Sequence, residues 1–207
     1  QPILHHASVA AAYLSMVRYA VWVKHYLNSS TRDLARLDQP FKKAIQSYPE
    51  TPKELLGSLD GKEVVVMGGG LIGEIATTHL ARLGAKVTVT EVNPVRIAEL
   101  KEILRSQGLD HKVEIVQRPV APRGQPPLPL PSEIVDKLRQ ANAIVGAIYL
   151  AGAKAPVEFG QELYDELVKA GKFEALLMPT IDQGGNVVAE QIRVRSYGDG
   201  WVVDDRF

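Results

Sequence analysis

The chain has 207 residues, of which 45% are hydrophobic and 23% are charged, with 24 basic and 24 acidic side chains and no cysteine. This composition predicts a globular protein and excludes a disordered, collagen-like or disulfide-stapled chain. Because the formal net charge is +0, no surplus of Lys and Arg favours nucleic acid or an anionic membrane. We therefore expect neither as a partner, and the absence of cysteine fits a cytoplasmic protein.

The N-terminal part of the chain predicts helices. Between Ser8 and Leu27, apolar residues recur with helical spacing, and two basic residues inside this stretch argue against a membrane span. We interpret this helix as a core or subunit-contact element. Three shorter helical stretches follow: the first is predicted to run from Thr31 and stop near Pro40, the second to run from about Phe41 towards Pro49, and the third to run from Thr51 and end at Gly57.

From residue 61 onward, short apolar runs alternate with amphipathic helices, which is the pattern of βαβ units and a parallel sheet. The predicted strands are Glu63 to Met67, Lys86 to Thr90, Lys112 to Val116, Ala143 to Tyr149 and Glu174 to Met178, with short strands around Val187 and Ile192, then a turn at Gly198 to Gly200 and a final apolar run from Trp201 to Val203. The predicted helices are Leu71 to Leu83, Pro94 to Gln107, Ser132 to Gln140 and Gln161 to Ala170. Six of the 13 prolines lie between Arg118 and Ser132, which predicts an extended connector.

The first strand leads directly into a glycine-rich turn that fits the pattern G-x-G-x-x-G. Gly68 allows the tight turn, Gly70 lets the backbone approach a diphosphate, and Gly73 lets the helix lie close to its strand. Leu71 and Ile72 begin the helix, and the N–H groups at a helix N-terminus favour negative charge. This turn predicts a dinucleotide site in an α/β, Rossmann-like doubly wound parallel sheet, preceded by N-terminal helices.

Glu91 supplies the acidic residue that such a site needs. It follows the second predicted strand and lies 18 residues after the last glycine of the turn, close to the roughly 20 expected for a carboxylate that binds the adenosine ribose. A carboxylate would repel the 2′-phosphate of NADP, so we predict NAD, with Val92 and Asn93 beside it; Arg96 would partly offset this preference. Alternatively, Glu91 is a solvated strand-end residue, and Asn93 with Pro94 caps the next helix.

Two further loops leave carboxyl ends of predicted strands, where ligands bind in open α/β sheets. The loop from Gly146 to Pro156 contains small residues that leave room for a flat ligand, together with the cation Lys154. The loop from Met178 to Asn186 places the carboxylate of Asp182 towards the same crevice.

These motifs carry a resemblance to a known family. Gly68 to Gly73, Gly146-Ala147 with Gly152 to Pro156, and Ile181 to Asn186 resemble the alanine dehydrogenase and pyridine nucleotide transhydrogenase family, over about Gly61 to Asn186. We divide the chain into an N-terminal helical segment, 1–57, and an NAD-binding Rossmann-like domain, 58–207. The resemblance implies further cofactor contacts at Ala147, Ile148, Tyr149, Leu150, Ile181 and Asp182.

The resemblance implies an NAD(H)-dependent oxidoreductase that transfers a hydride between nicotinamide and an amino acid or imine. Asp182 would orient or activate the water that attacks an iminium, and Lys154 would shape its loop or hold an acid group, unless it is a plain surface lysine. The family's substrate domain has no counterpart here, and the sequence begins with Gln1. We therefore expect a fragment of a longer chain, working as a homo-oligomer or with a partner chain that supplies this domain. No metal ligands are predicted.

A non-catalytic or regulatory NAD(H)-binding module, or the nucleotide-binding component of a larger assembly, is the alternative function. A Rossmann domain for another adenosine cofactor also stays open, because a fold does not determine a function. Asp182 distinguishes the oxidoreductase from the non-catalytic binding module, because a binding module needs no carboxylate beside the nicotinamide.

Overall fold

The computed structural model describes residues 38–47, 53–122, 128–148, 155–169, 175–178 and 201–204, and, in the N-terminal stretch, residues 10, 12–13, 16–17, 19–21 and 23–27. Strands and helices alternate from residue 63, and every strand pairs in parallel with its neighbours. The predicted α/β class with a parallel sheet is confirmed.

The strands are β1 (Glu63–Met67), β2 (Lys86–Glu91), β3 (Val113–Gln117), β4 (Ala143–Gly146), β5 (Ala175–Met178) and β6 (Trp201–Asp204). The helices are α1 (Asp38–Gln46), α2 (Lys53–Leu56), α3 (Leu71–Arg82), α4 (Pro94–Ser106), α5 (Ser132–Gln140) and α6 (Gln161–Lys169), with a 3₁₀ turn at Asp110–Lys112. Strand β4 ends three residues before the predicted Tyr149, which lies outside the described residues together with the strands predicted around Val187 and Ile192.

The six strands lie in the order β3-β2-β1-β4-β5-β6. This is the doubly wound order of dinucleotide-binding sheets, in which the chain moves outward from the centre in one direction and then returns to build the other half. The reversal falls between β1 and β4, where Met67 lies opposite Gly146. A ligand crevice is expected at the carboxyl ends of these two strands.

Helices cover both faces of the sheet, because side chains along a strand alternate between its faces. On β1, Val64 and Val66 face a core that contains apolar residues of α3 and α4. Val65 and Met67 face a second core with apolar residues of α5 and α6. A strand that is apolar on both faces is typical of a buried parallel sheet.

The N-terminal stretch packs against the first of these two faces. Its described residues are helical, with a π-helical turn at Val23–Leu27, and the buried ones join the core that contains Val64 and Val66. This arrangement agrees with the interpretation of the stretch as a core helix. No helix among the described residues has the length and apolar character needed to cross a membrane.

The predicted helix stop near Pro40 is wrong. Pro40 lies inside the first turn of α1, which begins at Asp38 rather than at Phe41. Proline is tolerated there because the N–H that it lacks would have no partner in the first turn of a helix. The short helix predicted before Gly57 is observed as α2.

His79 of α3 lies under the N-terminal stretch and makes an edge contact with the ring of Tyr13, with the ring centroids 4.8 Å apart. Burial, followed by the positive charge of Arg82, lowers the pKa of His79 to about 4. Because a histidine in an unfolded chain has a pKa of about 6.5, the unfolded state binds the proton more readily.

We expect the free energy of unfolding to fall as the pH is lowered from about 6.5 towards 4, because protonation of His79 favours the unfolded state. His79→Phe keeps an aromatic ring against Tyr13 and removes this part of the pH dependence. Chemical denaturation of both proteins across this range measures the effect, with a substitution of the exposed His111 as the control. Equal pH dependence in wild type and the His79→Phe variant would contradict the assignment.

Candidate functional site

The site is built around the turn that joins β1 to α3. Gly68 has a φ of +101°, in the left-handed region that favours glycine. A Cβ at this position would lie 2.8 Å from Cγ1 of Ile148 and 3.1 Å from the carbonyl oxygen of Ala147. The N–H of Gly68 donates to the carbonyl oxygen of Thr90, at 3.0 Å. The turn therefore packs directly against the ends of β2 and β4.

The other two glycines of the motif have different surroundings. A Cβ at Gly73 would collide with the carbonyl group of Gly68, whose carbon would be only 2.8 Å away, so this glycine permits close packing of α3. Gly70 is exposed, and a Cβ there would meet nothing within 4 Å. The space above Gly70 is open, as the predicted approach of a diphosphate requires.

Helix α3 begins at Leu71 without a side-chain cap, because its N-cap residue is Gly70. The first N–H groups of an α-helix have no partner within the helix and carry a partial positive charge. The open space at Gly70 leads to these groups. This end of α3 therefore has the donors and the room that a bound phosphate needs.

The carboxylate of Glu91 points towards the glycine turn. Its Oε2 accepts a hydrogen bond from the N–H of Gly69 at 3.0 Å. Its Oε1 accepts from the N–H of Val92 at 2.7 Å and from that of Asn93 at 2.9 Å. A carboxylate has about four acceptor positions, so these three bonds leave one, on Oε2. Glu91 is thus held in place and retains capacity for one hydroxyl.

The alternative interpretation of this strand end is partly right. Asn93 does cap α4: its Oδ1 accepts from the N–H of Val95 at 3.0 Å, and Pro94 occupies the first turn. Glu91, however, is half-buried and bonded to three backbone donors, so it is not a solvated residue.

Arg96 holds the same glycine turn from its other side. Its Nε donates to the carbonyl oxygen of Gly69 at 2.8 Å, and its guanidinium pairs with Glu74 of α3 and Glu99 of α4. Burial acts to lower the pKa of Arg96, but the hydrogen bonds and charges of the two carboxylates outweigh it and raise the pKa. Gly69 is therefore fixed by hydrogen bonds on both its N–H and its carbonyl group.

A buried ion pair lies beside the end of β2. The N–H of Arg118 donates to the carbonyl oxygen of Glu91 at 2.9 Å, and its Nη1 lies 2.5 Å from Oε2 of Glu158. The side chains of Arg118 and Glu158 are 16% and 2% exposed. Burial raises the pKa of the Glu158 carboxyl, and the charge of Arg118 opposes this shift. The pair joins the proline-rich connector to the segment before α6.

Five large apolar side chains in the described part of the chain stay exposed. Each lies at or after the carboxyl end of a strand, on the loop or first helical turn that follows: Leu71, Val95, Val120, Leu128 and Val157.

The predicted site residues divide into two groups. Gly68, Ala147 and Ile148 are in mutual proximity, and the N–H of Ala147 donates to the carbonyl oxygen of Met67 at 2.9 Å. Gly70, Leu71, Ile72, Gly73, Glu91, Val92 and Asn93 lie on the same turn and helix start or at the end of β2, whereas Tyr149, Leu150, Lys154, Ile181 and Asp182 lie outside the described residues. Their roles stay predictions.

Glu74, Arg118 and Glu158 are charged residues of this edge that the sequence analysis missed. Arg96 and Glu74 are 22 positions apart, and their contact forms only when α3 and α4 lie side by side on the sheet. The one local signal for this contact is that Glu74 and Arg96 carry opposite charges and that each lies in the first turn of a helix that follows a strand.

We expect Gly73→Ala to destabilise the fold by about 2–4 kcal/mol, because the new methyl group collides with the backbone of Gly68. Gly70→Ala makes the same chemical change in open space and should alter stability by about 0.5 kcal/mol or less. Thermal and urea unfolding of both variants measure the difference. Similar losses in the two variants would contradict the packing described for α3.

Comparison with known proteins agrees with this geometry. The family model described as alanine dehydrogenase/PNT, C-terminal domain, matches residues 45–202. The alanine dehydrogenase of Methanococcus maripaludis is 31% identical over 137 residues, covering 64% of this chain and 31% of that protein. The alanine dehydrogenase of Staphylococcus haemolyticus is 30% identical over 135 residues, covering 63% of this chain and 31% of that protein. The predicted resemblance is confirmed.

Solved structures show the same fold. An L-alanine dehydrogenase structure superposes with a TM-score of 0.57 at 18% identity, covering 97% of this chain and 46% of that one. A transhydrogenase from Sinorhizobium meliloti superposes with a TM-score of 0.54 at 15% identity, covering 96% and 48%. The chain spans about a third of the length of the curated relatives and about half of these two structures.

Proposed function

Because the chain belongs to the alanine dehydrogenase/PNT C-terminal domain family, we propose that it binds NAD(H) as the nucleotide domain of an oxidoreductase. The reaction is hydride transfer between nicotinamide and an amino acid or imine. The observation that supports this proposal most strongly is the contact between the glycine turn and Glu91, through the N–H of Gly69. It joins the two parts of a dinucleotide site, one for a diphosphate and one for a ribose.

Each part of the site has a defined task in this proposal. The N–H groups at the start of α3 bind the diphosphate, which reaches them through the open space at Gly70. The remaining acceptor position on Glu91 takes one hydroxyl of the adenosine ribose. Ala147 and Ile148 border the turn on the side of β4, where the cofactor would continue towards the centre of the sheet.

When bound, the nicotinamide supplies the hydride chemistry of the reaction. In this chain, Asp182 is proposed to orient or activate a water molecule at the substrate, and Lys154 to shape its loop or hold an acid group. Tyr149, Leu150 and Ile181 are proposed to line the cofactor. NAD, rather than NADP, is proposed as the cofactor because the carboxylate of Glu91 repels a 2′-phosphate.

The alternative is an NAD(H)-binding component of a larger assembly that does not itself catalyse the reaction. The chain spans about a third of the length of the curated relatives. In either case we propose that the chain works as a homo-oligomer or together with a partner chain that supplies a substrate domain. The cytoplasmic location and the division of the chain at residue 57 stay predictions.

Nucleotide binding is the first test. We expect calorimetric titration to detect NADH binding by the wild-type chain, and Gly70→Ala to weaken it about tenfold or more, because a methyl group in the open space displaces a charged phosphate from its N–H donors. Gly160→Ala is the matched control, since a Cβ there also meets nothing within 4 Å. If neither NAD nor NADH binds the wild type, the proposed function and its alternative both fail.

The enzyme and the binding component differ at Asp182. If the chain contributes to catalysis, Asp182→Asn should abolish turnover of the amino acid while the dissociation constant for NADH changes little, because the carboxylate acts on water rather than on the cofactor. Asp165→Asn, on the exposed face of α6, is the control. Turnover by Asp182→Asn at the wild-type rate would exclude the proposed role of this residue and favour the binding component.

A further inference from the structure

Arg96 and Arg118 both lie near the end of β2, and the guanidinium group of each is already paired with a carboxylate. Arg96 contacts Glu74 and Glu99, and Arg118 contacts Glu158. Enzymes that bind a ribose 2′-phosphate use an arginine near this strand end. Arginines are therefore present at the right place, but their charges are balanced by residues of the same chain.

Arg96 lies beside the ribose position of the proposed site. Its Nε lies 2.8 Å from the carbonyl oxygen of Gly69, and Oε2 of Glu91 lies 3.0 Å from the nitrogen of the same residue. The guanidinium of Arg96, at the start of α4, and the carboxylate of Glu91, at the end of β2, thus bind the same residue, Gly69. Arg96 binds its carbonyl oxygen and Glu91 binds its N–H. A phosphate group on a hydroxyl bound by Glu91 would be within reach of Arg96.

Glu74 is the stronger of the two carboxylate partners of Arg96. Its side chain is 24% exposed, whereas that of Glu99 is 56% exposed and three residues from Arg96 on one helix. Ion pairs with less solvent around them are screened less, and exposed pairs of this spacing contribute little. Glu74 also follows the glycine turn directly, and its N–H donates to the carbonyl oxygen of Gly70 at 2.8 Å. Its negative charge therefore lies beside the proposed diphosphate and ribose sites.

We infer that Glu74 is a specificity-determining residue: it occupies the guanidinium of Arg96 and so withholds this cation from a 2′-phosphate. Glu91 repels the 2′-phosphate, and Glu74 removes the charge that would compensate for this repulsion. The inference rests on the proposed function, since it concerns the same nucleotide site. It also gives Arg96 a defined role, which is to position Gly69 rather than to bind phosphate.

The test compares the dissociation constants of NAD and NADP, measured by calorimetry, for the wild type and for Glu74→Gln. Glutamine keeps the shape of the side chain and removes its charge. We expect Glu74→Gln to tighten NADP binding about tenfold more than it tightens NAD binding, because only NADP gains a charge-assisted contact with Arg96. Adding Arg96→Met to Glu74→Gln should abolish the gain.

The control is Glu102→Gln, which removes a carboxylate from an exposed pair with Arg105 on the same helix as Arg96. It should leave both dissociation constants at their wild-type values. Thermal unfolding shows whether Glu74→Gln remains folded, and Glu74→Ala provides a second neutral variant if it does not.

The outcomes separate the inference from the proposed function. If the wild type binds neither nucleotide, the proposed function is overturned, and the inference with it. If the wild type binds NAD, but Glu74→Gln has an unchanged ratio of the two constants or loses both affinities equally, the inference alone is overturned. A gain in NADP affinity that persists when Arg96 is replaced by Met would also overturn it.

Discussion

The hydrogen bonds made by Gly69 connect the two halves of the functional edge. The N–H of Gly69 donates to Glu91, and its carbonyl oxygen accepts from Arg96, so the turn after β1 is fastened to the turn after β2. Both interactions involve a charged side chain, and such hydrogen bonds are roughly twice as strong as neutral ones. The turn is therefore held in one conformation before any ligand arrives, and less ordering is required when a ligand binds.

Much of the fold follows from local patterns. Apolar runs and amphipathic helices locate the described strands and helices to within about three residues, because a parallel sheet buries both faces of its strands. The glycine turn and Glu91 are likewise local signals, since each follows a strand end directly. Pro40 was misleading because the effect of a proline depends on whether it lies in the first turn of a helix or further inside it.

The charged contacts of the edge did not follow from the sequence. The pair of Arg118 and Glu158 links the loop after β3 to the loop after β4, two strands that are not neighbours in the sheet. The pair of Arg96 and Glu74 links two neighbouring helices. These contacts depend on the packing of whole elements, and no spacing rule predicts them. They matter for function because they determine which charges at the nucleotide site are balanced and which are available.

The central claim is that the turn from Gly68 to Gly73 and the carboxylate of Glu91 together form a dinucleotide site. A crystal structure of the chain with bound NAD tests it most directly. The expected result is a diphosphate over Gly70 and the first N–H groups of α3, with a ribose hydroxyl on Oε2 of Glu91. Density for the dinucleotide at another edge of the sheet, with these groups still bonded only to protein atoms, would contradict it.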